Sequence, residues 1–256
     1  MTGKQTELDV PIELRRGRHR GDEKTSVASA VKILRYLAEH LGLRDFGATD
    51  MLDMGCGVKF TQAFLNEKLP IRKYVGIDLY PEMINFLKDT VTDSRFSYGH
   101  ANIHNEMYNP DGRPLARFEE LPVGEQRFDV IALLSVFTHL EPTDYVSMLR
   151  LLRKYVKPEG RLVYSLFIDE ITERGFGLID TYQKMLERRF AVAAPPPELE
   201  RVVAPFRDLD PSQPLKWALY SEAHARELIA NTGWEIVSLT PPPDSWLQHH
   251  FLLRPC

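Results

Sequence analysis

A glycine-containing turn followed by a distant carboxylate is the strongest chemical signal in the sequence. Asp53-Met54-Gly55-Cys56-Gly57 follows a short apolar run, and Asp78 ends the next apolar run. Glycines at a sharp strand-to-helix turn let a ligand lie against bare backbone. An acid about 20 residues further on is placed to accept hydrogen bonds from ribose hydroxyls. The pair predicts a nucleoside-binding site. The alternatives are that the glycines form a plain turn and that Asp78 is a helix N-cap.

Two kinds of nucleoside cofactor fit this pattern, and the neighbouring residues distinguish them. A dinucleotide site has a third glycine at the position where this chain has Phe60. The Asp53 carboxylate would repel a pyrophosphate, but it suits the ammonium group of an amino-acid ligand, directly or through water. S-adenosylmethionine (SAM) carries that ammonium group and no phosphate. The residues therefore favour SAM, with a nicotinamide cofactor as the weaker alternative.

Alternating strands and helices would bring these residues to one edge of a sheet. Strands are predicted at residues 50–54, 73–79, 95–98, 128–135 and 161–168, with helical segments near 25–41, 60–69, 81–87, 143–156 and 222–232. This order predicts an α/β fold, a Rossmann-like, doubly wound, mostly parallel sheet with helices on both faces. Residues 157–160 have the composition of a turn. Two last strands, 233–239 and 248–254, complete seven strands and should pair antiparallel, giving one antiparallel edge strand.

Residues 1–256 are expected to form a single domain with two unusual segments. Residues 1–25 are a polar arm with an arginine cluster, which either is solvated or folds over a bound ligand. Residues 170–220 are rich in proline and too long for a plain connection, which suggests a lid or a dimerisation insertion.

The motifs taken together resemble the class I SAM-dependent methyltransferases. The motifs are Asp53-x-Gly55-x-Gly57, Asp78, Phe128-Asp129-Val130-Ile131, Ser135-x-x-Thr138-His139-Leu140 and the run 151–162. The resemblance covers about residues 25–170 and the last two strands. In that family the glycine loop contacts the methionine part of SAM, the acid on the second strand binds ribose, and a residue after the third strand contacts adenine. The resemblance implies a Rossmann-like methyltransferase domain with SAM as its cofactor.

The family pattern gives a set of cofactor-binding candidates, with one departure. Where relatives have an aspartate followed by an apolar residue, this chain has Asn102 and Ile103. The Asn102 carbonyl oxygen can still accept from the adenine amine, and Ile103 would pack on the ring, although Asn102 could equally be a turn residue. The full set is Asp53, Gly55, Cys56, Gly57, Asp78, Leu79, Asn102, Ile103 and Leu134. Cys56 is expected to be a small packed residue rather than a nucleophile.

His139 is the candidate catalytic residue. Methyl transfer is an in-line displacement, and a hydroxyl acceptor must lose its proton during attack, so a general base helps. His139 lies just past the fourth strand, at the edge where open α/β sheets bind ligands, and imidazole accepts protons near neutral pH. The alternatives are that His139 packs against the following helix, or that it closes the cofactor pocket without taking part in the chemistry.

The sequence gives weaker signals for the residues that bind the methyl acceptor. The run 105–112 resembles small O-methyltransferases of sugar and polysaccharide pathways, such as methylmannose polysaccharide biosynthesis, and this implies a sugar or short oligosaccharide acceptor. Tyr108, Asp169 and Trp217 are the substrate-binding candidates. Asp169 and Glu170 could instead hold a divalent metal such as Mg²⁺, or be solvated. N-methylation of a small amine or protein side chain, and a non-catalytic SAM-binding protein, remain alternative functions.

The composition excludes several other classes. The net charge of −4 gives no drive towards nucleic acid, and no apolar run is long enough for a membrane span. Two cysteines are no disulfide framework. The polar N-terminus is unlike a signal peptide, so a cytoplasmic protein is expected, with a small hydroxylated molecule as its partner. A homodimer is left open.

Overall fold

The computed structural model describes residues 7–15, 21–168, 205–209, 212–242 and 247–256. These residues form one nine-stranded sheet and five α-helices. The strands are β1 Phe46–Met54, β2 Ile71–Asp78, β3 Phe96–His100, β4 Phe128–Leu133, β5 Val156–Ile168, β6 Phe206–Asp208, β7 Ala218–Tyr220, β8 Trp234–Thr240 and β9 His249–Pro255. The helices are α1 Glu23–His40, α2 Lys59–Asn66, α3 Pro81–Thr90, α4 Pro142–Leu152 and α5 Glu222–Ile229.

The sheet confirms the predicted class of fold and refines its edge. Strands β3, β2, β1, β4 and β5 are neighbours in that order and all run parallel. The last two strands form the predicted antiparallel pair at one edge of the sheet: β9 pairs antiparallel with β5 and with β8, so β9 is the inner strand of the pair and β8 the outer one. Two short strands add to the seven predicted ones: β7 pairs parallel with the end of β5, and β6 pairs antiparallel with β7.

The predicted turn at residues 157–160 is wrong, because these residues belong to β5. The pairing of β4 with β5 shifts register between Phe128 and Val130, which absorbs the extra residues as a bulge. A Cβ on Gly160 would lie 2.7 Å from Val156 Cγ2 and 2.8 Å from the Phe128 carbonyl oxygen. Gly160 is therefore needed because the two strands lie close together. In the sequence alone, a glycine kept for this reason cannot be told from a glycine in a turn.

Both faces of the sheet are buried, as the apolar parallel strands require. Leu52 and Ile131 point into one core with α4 and α5, whereas Met51 and Val130 point into the other with α1, α2 and α3. This alternation along each strand places helices on both faces, as predicted.

The described part of the N-terminal arm is packed against the helices. Leu8 and Val10 are buried in the core beside α1 and α2. The Leu8 N–H donates to Asn66 Oδ1 over 2.8 Å, and Gln62 Nε2 donates to the Leu8 carbonyl oxygen over 3.2 Å. Residues 16–20, which hold most of the arginine cluster, lie outside the described residues.

Four charged side chains connect the strands near their amino ends, opposite the glycine turn. Arg72 donates to Asp50 and to Asp129, each over 2.7 Å. Lys157 Nζ lies 2.7 Å from Asp50 Oδ2 and 2.9 Å from Asp129 Oδ2. Because each residue belongs to a different strand, this charged network ties β2, β1, β4 and β5 together.

Among the described helices, none combines the length and the apolar character that a membrane crossing requires.

Candidate cofactor and acceptor site

The glycine turn follows the end of β1 and is held against β2. The N–H groups of Gly55 and Cys56 both donate to the Ile77 carbonyl oxygen, over 2.7 and 3.0 Å. Gly55 has φ +77° and Gly57 has φ +50°, a region that disfavours side chains. A Cβ on Gly55 would overlap a methyl group of Val136, whereas no atom of the residues that the structure describes lies within 4 Å of the corresponding point at Gly57. The glycine turn therefore packs against the turn after β4 at Gly55, and among the described residues the space at Gly57 is open.

Asp78, at the carboxyl end of β2, is oriented by backbone groups. The Gly57 N–H donates to Oδ2 over 3.0 Å, and the N–H groups of Leu79 and Tyr80 donate to Oδ1 over 2.8 and 3.2 Å. The two halves of the sequence signal thus meet in space. The backbone donors therefore fix the orientation of this carboxylate beside the glycine turn.

Asp53 lies beneath the turn rather than on its surface. Its side chain is buried, and Tyr74 Oη donates to Oδ2 over 2.6 Å. Burial raises the pKa of Asp53 to about 7; the Tyr74 hydrogen bond opposes this rise and the nearby Asp78 adds to it. Two neighbouring carboxylates, one of them poorly solvated, favour a positively charged ligand over an anionic one.

Cys56 is buried inside the turn. Its Sγ would lie only 2.9 Å from a Cβ on Gly76 in β2, so the small residue at 76 makes room for it. Burial, with Asp78 and Asp53 adding to its effect, raises the pKa of the thiol well above its ordinary value. A buried thiol that resists ionisation is a packing group, as expected from the sequence.

The end of β3 adds a residue that the sequence analysis missed. His100 pairs with Asp78 in the register of β2 and β3, and its Nε2 lies 3.1 Å from the Leu79 carbonyl oxygen. A carbonyl oxygen only accepts, so Nε2 carries the proton and Nδ1 is the accepting atom of the neutral ring. Only the register of β2 and β3 sets His100 beside Asp78, so the sequence held no distinctive signal for it.

Asn102 and Ile103 follow directly and differ in exposure. Asn102 is exposed, and its Oδ1 accepts from Asn109 Nδ2 over 3.0 Å. Ile103 is buried in the core, where it packs with residues of β1, β2 and β4. Asn102 thus keeps an accessible polar group beside the end of β3, whereas Ile103 supports the loop from below.

The carboxyl end of β4 continues into a strained turn. Ser135 has φ +58°, its N–H donates to Ser165 Oγ over 2.7 Å, and its Oγ is hydrogen-bonded to the Gln248 side chain. Leu134, before it, is half-buried against the same core as the glycine turn. The adjoining Val136 is the residue that contacts Gly55, so the turn after β4 lies next to the glycine turn.

His139 follows in a short 3₁₀ helix, Phe137–His139, within this turn. Its Nδ1 lies 3.0 Å from the Leu215 carbonyl oxygen, and its own N–H donates to the Val136 carbonyl oxygen. Because the Leu215 carbonyl can only accept, Nδ1 carries the proton and Nε2 is the basic atom of the neutral ring. Burial lowers the pKa of His139, and the hydrogen bond to Leu215 opposes this.

The structure brings together one of the acceptor-side candidates with His139. The exposed Tyr108 ring stands edge-on to the imidazole, with 5.6 Å between ring centroids.

Trp217 is half-buried against Phe167, at 5.3 Å between ring centroids, in a small apolar cluster with Leu209 and Leu219. Asp169 and Glu170 lie outside the described residues. Within the ranges that are described, no group of three or more histidine, cysteine or acidic side chains has the arrangement of a metal site.

Comparison with known families and structures agrees with this geometry. Residues 52–164 match the family model described as "Methyltransferase domain". The matched range begins in β1, contains the glycine turn, Asp78 and His139, and ends in β5.

Solved structures share the fold over most of the chain. Magnesium protoporphyrin IX methyltransferase from Synechocystis PCC 6803 is 13% identical, with a TM-score of 0.52 over 94% of this chain and 89% of that one. A glycopeptide N-methyltransferase is 12% identical, with a TM-score of 0.54 over 87% and 88%. The 1,6-didemethyltoxoflavin-N1-methyltransferase of Burkholderia thailandensis is 20% identical, with a TM-score of 0.50 over 92% and 80%. All three were solved with S-adenosylhomocysteine. Residues 52–164 are thus similar to the family described as "Methyltransferase domain", and the solved structures show that the chain has a Rossmann-like fold.

Proposed function

We propose that this protein is a SAM-dependent O-methyltransferase that acts on a hydroxyl of a small acceptor, with a sugar or short oligosaccharide as the first candidate. The observation that carries the proposal is the orientation of His139, whose Nδ1 is bonded to the Leu215 carbonyl at the carboxyl end of β4. An imidazole held in this way presents Nε2 as a base, which a hydroxyl acceptor needs and a neutral amine does not.

The residues of the glycine turn fit SAM as the cofactor. The open space at Gly57 leaves room for a ligand against bare backbone, and Asp78 is oriented to accept from ribose hydroxyls. Asp53 would favour the cationic amino-acid part, and Asn102 and His100 are the candidates beside the adenine. When bound, SAM supplies a methyl group on a positively charged sulfur.

His139 then removes the proton that the acceptor hydroxyl must lose. The proton moves to Nε2, while the Nδ1–H stays bonded to Leu215, so the imidazolium keeps its orientation until it releases the proton to solvent. Burial lowers the pKa of His139, which keeps the ring neutral and ready to accept near pH 7. The neighbouring Tyr108 ring offers an exposed aromatic face on which a sugar could stack.

The test is a comparison of variants on hydroxylated and amine acceptors, with SAM binding measured separately. His139→Ala and His139→Gln should lower kcat on a hydroxyl acceptor by about 10²- to 10⁴-fold without changing SAM affinity. The glutamine variant keeps a hydrogen-bond donor but has no basic nitrogen. His224→Ala, at a partly buried position of α5, is the control histidine. A normal rate for His139→Ala on a hydroxyl would contradict the base role.

The same experiment separates the alternatives. An N-methyltransferase would methylate amines and tolerate the loss of His139, and mass spectrometry of the product distinguishes the two kinds of methylation. A non-catalytic SAM-binding protein would bind SAM and turn over none of the acceptors. If Mg²⁺ at Asp169 and Glu170 activates the hydroxyl, a chelator will abolish the rate.

A further inference from the structure

The hairpin of β6 and β7 is fastened to the turn that carries His139. Its strands pair from Phe206 with Tyr220 to Asp208 with Ala218. Tyr220 Oη donates to the Leu140 carbonyl oxygen over 2.7 Å, one residue beyond His139. The hairpin is therefore held in place by a buried contact that does not involve the imidazole.

Leu215, in the loop of this hairpin, has an unusual backbone conformation. Its φ is +54°, in the left-handed region, where the Cβ of a leucine crowds the backbone. Its N–H donates to Asp208 Oδ2 over 2.7 Å, and its carbonyl oxygen faces His139 Nδ1 at 3.0 Å. Conformations of this kind persist only where the surroundings hold them, and they are concentrated at functional sites.

Asp208 has a second feature that separates it from an ordinary turn residue. Its Oδ1 is buried and has no hydrogen-bond partner among the residues that the structure describes. Buried polar atoms are nearly always paired, so an unpaired carboxylate oxygen indicates that the residue is kept for something other than stability. Its other oxygen, Oδ2, accepts from the N–H of Leu215, the residue whose carbonyl oxygen faces the candidate base.

We propose that Asp208 and Leu215 are positioning residues for His139: Asp208 holds Leu215 in its left-handed conformation, and the Leu215 carbonyl fixes the imidazole as the Nδ1–H tautomer. The catalytic meaning of this arrangement rests on the proposed role of His139 as a base. A main-chain carbonyl here does the orienting that a carboxylate does in other histidine-based sites, and it cannot take the proton.

Two pairs of variants separate backbone geometry from side-chain packing. Leu215→Gly removes the side chain but adopts positive φ freely, whereas Leu215→Val keeps an apolar side chain that resists positive φ. Asp208→Ala removes the acceptor for the Leu215 N–H, and Asp208→Asn keeps one carbonyl oxygen that can replace it. Gln213→Ala, in the same loop, is the control.

The first readout is the tautomer of His139, from ¹⁵N NMR of the full-length protein labelled at histidine, with His139→Ala used to assign the signal. Leu215→Gly, Asp208→Asn and Gln213→Ala should keep the Nδ1–H form, whereas Leu215→Val and Asp208→Ala should lose it. Retention of the Nδ1–H form in both of the latter variants would overturn the proposal. This readout needs no acceptor, so it stands apart from any failure of the proposed methyl transfer.

The second readout is the split between kcat and KM on a hydroxyl acceptor. Leu215→Val and Asp208→Ala should lower kcat by about tenfold or more, with KM for SAM within about twofold, because a misoriented base slows proton transfer alone. Leu215→Gly should stay within about twofold of the parent kcat. An equal loss of kcat in Leu215→Gly and Leu215→Val would assign the effect to packing and contradict the positioning role.

Discussion

The backbone N–H of Gly57 donates a hydrogen bond to Oδ2 of Asp78 over 3.0 Å, across the carboxyl ends of β1 and β2. Oδ1 of the same carboxylate accepts from the N–H groups of Leu79 and Tyr80. The carboxylate is thus oriented by the main chain before any ligand arrives. A preoriented acceptor binds ribose hydroxyls without the cost of ordering a free side chain.

Replacing Asp78, a partly buried residue, should therefore weaken SAM binding. Asp78→Asn can accept with only one oxygen, so the Gly57 N–H or the Leu79 N–H loses its partner. We expect the Kd for SAM to rise by about tenfold to a hundredfold, measured by calorimetric titration. Asp93→Asn, an acid paired with Arg95 just before β3, is the control and should bind SAM normally. An unchanged Kd in Asp78→Asn would remove Asp78 from the site.

The two glycines of the turn should differ in what they tolerate. Gly57→Ala meets only the strain of positive φ, about 1–2 kcal/mol, because the space around it is open. Gly55→Ala adds an overlap with Val136, so it should lower the free energy of unfolding by about 1–3 kcal/mol more. Urea denaturation measures both losses. In a Val136→Ala background the difference between the two glycine variants should shrink, and an unchanged difference would contradict this contact.

The charged network at the amino ends of the strands should contribute modestly to stability, and the contribution should depend on salt. Its side chains are about a fifth to a half exposed, which limits each pair to about 1 kcal/mol or less. Asp129→Asn weakens contacts to Arg72 and Lys157 together. We expect a loss of about 1 kcal/mol at low ionic strength that becomes smaller at 1 M salt, by urea denaturation. A loss that is independent of salt would point to the Asp50 N–H bond to Asp129 instead.

Acid should destabilise the protein below about pH 6.5, because two neighbouring histidines of β9 are buried. Burial lowers the pKa of His249 to about 4 and that of His250 to about 3, and in His250 the nearby His40 and His249 add to this. Between the unfolded pKa near 6.5 and these values the unfolded chain binds more protons, so stability falls as the pH falls. Each such histidine contributes about 1.4 kcal/mol per pH unit.

Asp53 opposes this trend, and variants can separate the two effects. Its pKa is raised to about 7, so between about pH 4 and pH 7 the folded protein holds the extra proton and gains stability as the pH falls. In urea denaturation of the cofactor-free protein, His250→Gln should flatten the loss between pH 6.5 and pH 4. Asp53→Asn should make it steeper. The opposite order of slopes would contradict these assignments.

Some of the site's contacts could be predicted from the sequence because they join residues that are close together along the chain. The glycine turn and Asp78 mark the ends of consecutive strands, and parallel strands bring their carboxyl ends to one edge of a sheet. His139 was placed at the same edge by the same argument. His100 was missed because a histidine at the end of a strand has no distinctive pattern until the register sets it beside Asp78.

The sequence by itself determined the chain order of seven of the nine described strands and of the five described helices, the two-sided burial of the sheet and the position of the glycine turn, since apolar periodicity and glycine spacing are local. Only the tertiary structure decided that β9 lies between β5 and β8, and that Lys157 and Gly160 belong to a strand. It alone brought Leu215 to His139, across 76 residues of chain. Every residue has a backbone carbonyl, so no side-chain pattern marks the one that orients a histidine. That contact exists only once the hairpin of β6 and β7 has docked on the turn after β4.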